Sequence, residues 1–401
     1  MQVLVRVLGI LSQKNIFKYI IMTNKAIIIG GEHHNTLGVI KSLGKVGVEL
    51  TVCVISETSF SVVLKSRYIK EGHIFKNESL CVDYLIANYK SSLCRIPLIC
   101  CSDRIVAAID ERYWELNERF VLPLCSRKGL TSYYMDKENI TNLAFKYGIK
   151  VPKSWKISNN QIPDDITYPC ITKPLQSIKG SKLDIIVCTN HDELEKVLRR
   201  DTICQDYLVQ QYIEREKEIS ILGAVLDNRK DVVYSGCIDK LREYGRGTSA
   251  YAVMIDNHII GDIKEKLKKL LIDSTYSGLF SAEFLLYQGD FYFLEVNFRN
   301  DGNGYVPTCA GLNLPYIWFL STMGKPLGKY VPSYPCYFML ESCDIKNMLK
   351  GKVPLFQWIK EMKKVNCFYF YDKEDMKPFI YEQYNIFIRP IVNRLSQICK
   401  H

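Results

Sequence analysis

Apolar positions recur along this chain with two different periods, and the places where the period changes mark out its parts. The run Ala26–Ile29 is short, apolar and rich in β-branched residues, which predicts a buried strand, and Gly30 and Gly31 behind it predict a turn. Leu37, Ile40 and Leu43 follow at helical spacing, and Leu50–Ile55 is a second apolar run, so the segment reads as a βαβ unit with a parallel sheet. A further strand ends at IPLICCSD, where Asp103 is placed to cap the helix RIVAAIDERYW. Residues 23–125 are expected to form one small doubly wound α/β domain.

From Met135 the pattern changes. DKENITNLAFKYGIKVPKSW predicts a helix capped by Asp136 and closed by Gly148. YPCITKP is a strand carrying Lys173, QSIKGSKL a polar loop, DIIVC a returning strand and HDELEKVLRRD an amphipathic helix. YLVQQYIE is a strand, and KEISILGAVLDNRKDVVYSGCIDKL is a hairpin turning near Asp227–Asn228. The helix GDIKEKLKKLLIDSTYSG precedes a second hairpin, FSAEFLLYQGDFYFLEVNFR, turned at Gln288–Gly289–Asp290. Strands and helices are segregated rather than alternating, so residues 126–328 predict an α+β unit with antiparallel sheets. Residues 329–401 are aromatic and basic; FQWIKEMKKVNCFYFYD and FIYEQYNIFIRPIVNRL read as short helices packed on the body, with no chemistry of their own.

Composition narrows the class. With 401 residues, 47% of them apolar and 24% charged, the chain suits two or three packed globular units rather than a disordered polymer. The net charge of +10 is concentrated at the ends: residues 1–22 carry +3, residues 346–401 carry +6 and the middle is nearly neutral. That distribution argues against a nucleic-acid groove, and it leaves the basic ends, above all the C-terminal segment, for contact with an anionic membrane surface. The 15 cysteines form no CxxC pair and no zinc spacing, which predicts reduced, buried thiols in a cytoplasmic protein. Residues 1–22 are apolar but interrupted by Arg6, with no small-residue cleavage site and too little length to span a bilayer. Met22 directly precedes TNKAIIIGG, so this stretch is expected to be a dispensable extension outside the fold.

Two stretches carry candidate chemistry. GGEHHNTLG lacks the third glycine of a dinucleotide fingerprint and is better read as a turn presenting His33, His34 and Asn35 at the strand ends, where ligands of parallel sheets bind. In the hairpin 281–299, period-two geometry puts Glu295, Asn297 and Arg299 on one face, and a turn at 288–290 sets Glu283 opposite Glu295. Facing carboxylates repel unless a cation lies between them, and a hard cation bridging nucleotide phosphates fits oxygen ligands. The plain alternative is a hairpin with one solvated polar face.

Read together, Glu283, Gly289, Glu295, Asn297 and Arg299 resemble the metal-binding signature of the ATP-grasp superfamily, most like its biotin carboxylase, carbamoyl-phosphate synthetase and D-aspartate ligase branches. The resemblance covers most of residues 25–328. It implies a Rossmann-like pre-ATP-grasp domain (23–125), a two-lobed ATP-grasp domain (126–328) and a small helical C-terminal extension (329–401). It implies metal binding by Glu283, Glu295 and Asn297, and nucleotide binding by Lys137, Lys173, Ser177, Gly180 and Glu218, with Gln210, Gln211 and Ile213 as the adenine hinge. Lys240 is similar to a further phosphate-contacting lysine, and Arg299 to an arginine that holds the acyl phosphate or the acid being activated. QSIKGSKL departs from the pattern, since the family's loop is usually richer in glycine. The activity implied is an ATP- and magnesium-dependent (or manganese-dependent) ligase that activates a carboxylate as an acyl phosphate and couples it to an amine. Its partners would be small-molecule acids and amines and a second copy of the chain as homodimer. The other readings are a bicarbonate-using carboxylase or carbamoyl-phosphate-type enzyme, a nucleotide-binding protein without ligation, and a membrane-associated enzyme of envelope assembly.

Overall fold

The computed structural model describes residues 24–158, 161–174, 185–199, 206–245 and 247–389. The extension 1–22 and the loop residues Ser177 and Gly180 lie outside the described residues.

Five strands, β1 (Lys25–Gly31), β2 (Glu49–Ile55), β3 (Ile69–Phe75), β4 (Ile96–Cys100) and β5 (Phe120–Val121), form a parallel sheet in the order β3-β2-β1-β4-β5. Ala26, Ile27, Ile28 and Ile29 of β1 are all buried, as a strand covered on both faces requires. Gly30 and Gly31 finish the strand instead of turning it; the turn is Glu32–His33. Glycine is needed at position 30 for another reason. A Cβ there would lie 2.0 Å from Thr36 Oγ1, whose hydroxyl donates to the Gly31 carbonyl at 2.9 Å and seats the helix His34–Gly44 against the strand end. The helix Asp103–Glu111 after β4 is capped by Ser102, whose side chain accepts from Ile105 N; Asp103 is its first residue and points elsewhere.

A small antiparallel sheet follows, in the order β6-β9-β7-β8: β6 (Ser154–Ser158), β7 (Cys170–Pro174), β8 (Ile186–Cys188) and β9 (Asp206–Gln211). The helix His191–Leu198 closes it through Leu194, Val197 and Leu198, which pack with Trp155, Ile157 and Val209. The predicted helix Lys137–Lys146 is capped by Asp136, which accepts from Glu138 N and Asn139 N, and Gly148 beyond it has φ +68°.

The largest sheet has seven strands: β10 (Lys217–Val225), β11 (Val232–Tyr244), β12 (Thr248–Ile255), β13 (Gly278–Tyr287), β14 (Asp290–Asn297), β15 (Cys336–Met339) and β16 (Cys367–Phe368). Their order is β14-β13-β10-β11-β12-β15-β16. The helix Ile263–Asp273 packs Leu267, Leu270 and Leu271 with Phe280, Phe284 and Phe293 in one core. Helices form at Leu355–Met362 and Met376–Gln383 as expected, but the C-terminal segment is more than helical, because β15 and β16 extend the sheet. One of its cysteines also departs from expectation: Cys367 is disulfide-bonded to Cys309, while the other described cysteines are free thiols and most are buried.

The C-terminal segment reaches back to the helix His34–Gly44 beside the parallel sheet. Lys41, on the helix His34–Gly44, is fully buried and donates to the carbonyls of Tyr369 (2.7 Å) and Phe370 (3.2 Å). Burial pulls its ammonium down to about 8, against the opposing charge of Asp372. Among the described residues no helix is long and apolar enough to cross a membrane.

Candidate active site

The hairpin β13–β14 turns through Gln288 (φ +50°) and Gly289 (φ +78°), with Tyr287 paired to Asp290, so the left-handed backbone of a two-residue turn sets the register. That register carries the ladder to Phe284–Phe293 and, continued unbroken, would set Glu283 across from Leu294; a slip of one residue places Glu283 directly across from Glu295 instead. Next to the pair the ladder slips: Phe284 faces Phe293, leaving Leu294 as an extra residue. The bulge lets Phe284 and Phe293 both enter the core while Glu283 and Glu295 stay at its polar edge.

The two carboxylates are unequal. Lys137 Nζ lies 3.0 Å from Glu295 Oε2, and that ammonium holds Glu295 well below the usual carboxylate range. Glu283 is driven the other way, first by burial and then by the charge of Glu295. Asn297 Nδ2 donates to Glu283 Oε1 at 3.2 Å, and Asn297 Oδ1 accepts from Arg299 Nη2 at 3.2 Å. An all-oxygen donor set with a protonation-prone carboxylate is what a hard divalent cation would relieve. Among the described residues no group of three or more His, Cys, Asp or Glu could hold a metal alone. Two carboxylates and an amide therefore fit an ion of the magnesium type, which keeps water and phosphate oxygens in its shell.

Cations surround this pair. Lys173, on β7, donates to Gln210 Oε1 at 2.7 Å, and Gln210 in turn donates to Ser154 Oγ at 3.0 Å. Burial, then the neighbouring charge of Lys137, lowers Lys173 to about 8. Lys240 pairs with Glu218, which also takes Arg215; burial opposes the charge on Lys240, but Glu218 outweighs it and the ammonium is raised. Gln211 N and Tyr212 N donate to Lys153 O (2.8 Å) and Pro169 O (3.0 Å), pinning the segment that carries Ile213.

Arg299 ties the hairpin to the helix Asp103–Glu111 that follows β4. Its Nε and Nη2 meet the Asp103 carboxylate at 2.9 and 3.4 Å, and Nη1 donates to Asn300 O at 3.2 Å. Burial works against its charge, but Asp103 and Asp301 keep the guanidinium protonated. Asn35 strengthens the same junction, donating to Cys101 O (3.1 Å) and Asn300 O (2.9 Å) while Asn300 Nδ2 returns a bond at 2.5 Å. Of the histidine pair, His34 is buried edge-on to Tyr369, and burial, then His33, hold it neutral; His33 stays exposed. Sequence reasoning missed Asp103, Asn300 and Asp301. The one available signal for Asp103 was an acid just beyond a buried strand, at the sheet edge where ligands gather, and the capping reading obscured it.

Lys137, Lys173, Glu283, Glu295, Asn297 and Arg299 are thus connected by contacts or mutual charge; Lys240 and Glu218 join through the charges they exert on Glu283. Residues 136–325 match the family description "Carbamoyl-phosphate synthase L chain, ATP binding domain". The chain is 28% identical over 173 residues to a D-alanine–D-alanine ligase of Fusobacterium nucleatum, covering 41% of this chain and 55% of that one. It spans about half the length of that relative. Among solved structures, an N5-carboxyaminoimidazole ribonucleotide synthetase in complex with ADP superposes with a TM-score of 0.63 at 15% identity, covering 83% of this chain and 86% of that one. The biotin carboxylase domain of Hydrogenobacter thermophilus 2-oxoglutarate carboxylase, bound to MgADP and bicarbonate, gives 0.61 at 16% identity over 75% and 70% of the two chains.

Proposed function

We propose, from the match of residues 136–325 to a carbamoyl-phosphate synthase ATP-binding domain and from the site geometry, that the chain is an ATP-grasp enzyme: an ATP- and magnesium-dependent ligase that activates a carboxylate as an acyl phosphate and couples it to an amine. The observation that carries this reading is the Glu283–Glu295 pair, set face to face by the hairpin register within reach of three lysine charges and an arginine. Residues 23–125 would serve as the Rossmann-like domain that precedes the nucleotide-binding lobes, residues 126–328 as the lobes themselves, and 329–401 as a C-terminal extension.

Glu283, Glu295 and Asn297 would hold the metal, and Lys137 and Lys173 the nucleotide phosphates. Magnesium, when bound with ATP, supplies charge neutralisation on the transferring phosphoryl group. The protein's share is electrostatic and positional. Lys173 must carry its proton to meet phosphate oxygens, and breaking its bond to Gln210 frees it to do so. Glu218 aims Lys240, and Asp103 aims Arg299, whose planar fork suits the acid being activated. Gln210, Gln211 and Ile213 would line the adenine, with Ser177 and Gly180 over the phosphates. The substrates would be small molecules, the setting cytoplasmic, and a homodimer the assembly.

Glu295→Gln tests the proposal: it removes one preorganised charge and should lower ADP formation by at least ~10²-fold in a screen of acids and amines. Wild-type ADP formation in that variant would refute the assignment. A second reading, in which bicarbonate is the acid, rests on the neighbour solved with MgADP and bicarbonate. ADP release that requires bicarbonate but no other acid would select it.

A further inference from the structure

The segment 349–364, LKGKVPLFQWIKEMKK, builds a knuckle whose apolar side faces outward. The helix Leu355–Met362 has no buried residue: Phe356 is 90% exposed, Leu355 56% and Ile359 38%. These three share one helical face, being spaced three and four apart. The opposite face is anchored. Trp358 Nε1 donates to Asp344 Oδ2 at 3.0 Å, Glu361 Oε2 lies 2.9 Å from Arg242 Nη2, and Val353 at the knuckle's base is buried. The helix orientation is therefore fixed by ionic and hydrogen-bonded contacts on the inside, and the outward phenylalanine is a consequence of that anchoring.

Charge says what this face meets. Lys350, Lys352, Lys360, Lys363 and Lys364 are all exposed around the apolar residues. The sole acid of the segment, Glu361, is turned inward onto Arg242. An exposed apolar helix face, on a segment with five exposed lysines and its sole acid turned inward, complements a surface that is anionic at the top and apolar beneath. A protein groove would need acids on its rim and a concave apolar floor.

We propose that the knuckle 349–364 docks this protein on anionic lipid bilayers, with Phe356, Leu355 and Ile359 entering the headgroup–acyl boundary and the five lysines pairing with lipid phosphates. It places the site on one short segment, independent of the reading of the active site.

The test is co-sedimentation of the full chain with vesicles of phosphatidylcholine alone or with roughly one-third phosphatidylglycerol, at about 0.1 M salt. The protein is expected to pellet with the anionic vesicles only, and to be released at about 0.5 M salt. Phe356→Asp, and separately Lys363→Glu with Lys364→Glu, should each reduce the bound fraction at least ~tenfold with unchanged melting temperature, since all three side chains are solvent-exposed. No pelleting with anionic vesicles overturns the proposal. So does equal pelleting of Phe356→Asp, which would move the lipid contact elsewhere in the chain. Light scattering that shows a dimer dissolved by Phe356→Asp would make the face an interface between copies and overturn it as well.

Discussion

Asp103→Asn is the most informative single change outside the carboxylate pair. Asp103 meets two nitrogens of Arg299, at 2.9 and 3.4 Å, across the junction of the first sheet and the hairpin. The side chains are 25% and 17% exposed, so the pair lies between the surface and the interior. At ~4 Å and an effective dielectric near 20 the gross attraction is about 4 kcal/mol. Asp301, with an oxygen 3.7 Å from Arg299 Nη1, takes up part of the lost pairing. The net destabilisation should be about 2 kcal/mol, above the ~0–1 of exposed pairs and below the ~3–5 of fully buried ones. For a chain of 401 residues an unfolding entropy of about 2 cal/mol/K per residue turns that into a melting shift of ~2–3 °C. Urea unfolding and thermal scans of Asp103→Asn, Arg299→Met and the double variant give the coupling directly. Coupling of ~1.5–2 kcal/mol is expected; effects that add to within ~0.5 kcal/mol would show that the two residues act independently and refute the reasoning.

Other expectations follow from single contacts. Lys173 sits near 8 because of burial and Lys137, while Lys137 and Lys240 are raised and stay charged. ADP affinity measured by calorimetry should therefore fall about tenfold from pH ~7 to ~9, and Lys173→Met should flatten the profile; a flat wild-type profile would contradict it. The sign for stability is opposite: this lysine's folded value lies below its unfolded one, so nucleotide-free protein gains stability as pH rises from about 8 towards ~10.5. Gly289→Val forces a β-branched residue to φ +78° and should cost at least ~1 kcal/mol in urea unfolding. Asn35→Ala leaves the buried Cys101 carbonyl without the amide donor, while Asn300 O keeps Arg299 Nη1, and should cost ~1–3 kcal/mol; a change below ~0.5 would mean that water replaces the amide.

The hairpin was legible because its pattern is local: turn residues and alternation mark it, and a turn read as 288–290 sets Glu283 across from Glu295; the true turn is one residue shorter, and the bulge makes up the difference. The extra residue Leu294 was not, since a bulge is decided by which aromatic side chains fit the core. Asp103 looked like a cap because Ser102 and Asp103 both suit helix starts, and only its pairing with a residue 196 positions away reveals its role. Strands β15 and β16, of four and two residues, are too short for any period to show, and they exist because β12 offers an edge. Cys309 and Cys367 are 58 residues apart with no spacing motif, so their bond could be found only in three dimensions.

Lys41 carries a consequence for how the chain is made. It sits buried on the helix His34–Gly44, yet the carbonyls that receive its ammonium belong to Tyr369 and Phe370, 328 and 329 residues downstream. A ribosome delivers those residues long after Lys41, and until then this lysine must either stay in water or lose its proton. The helix His34–Gly44 is then made well before the residues that complete the surroundings of its lysine. Lys41→Met should uncouple the two events: a chain stopped after residue 335 would protect that helix from proteolysis with methionine at 41 and leave it cleavable with lysine.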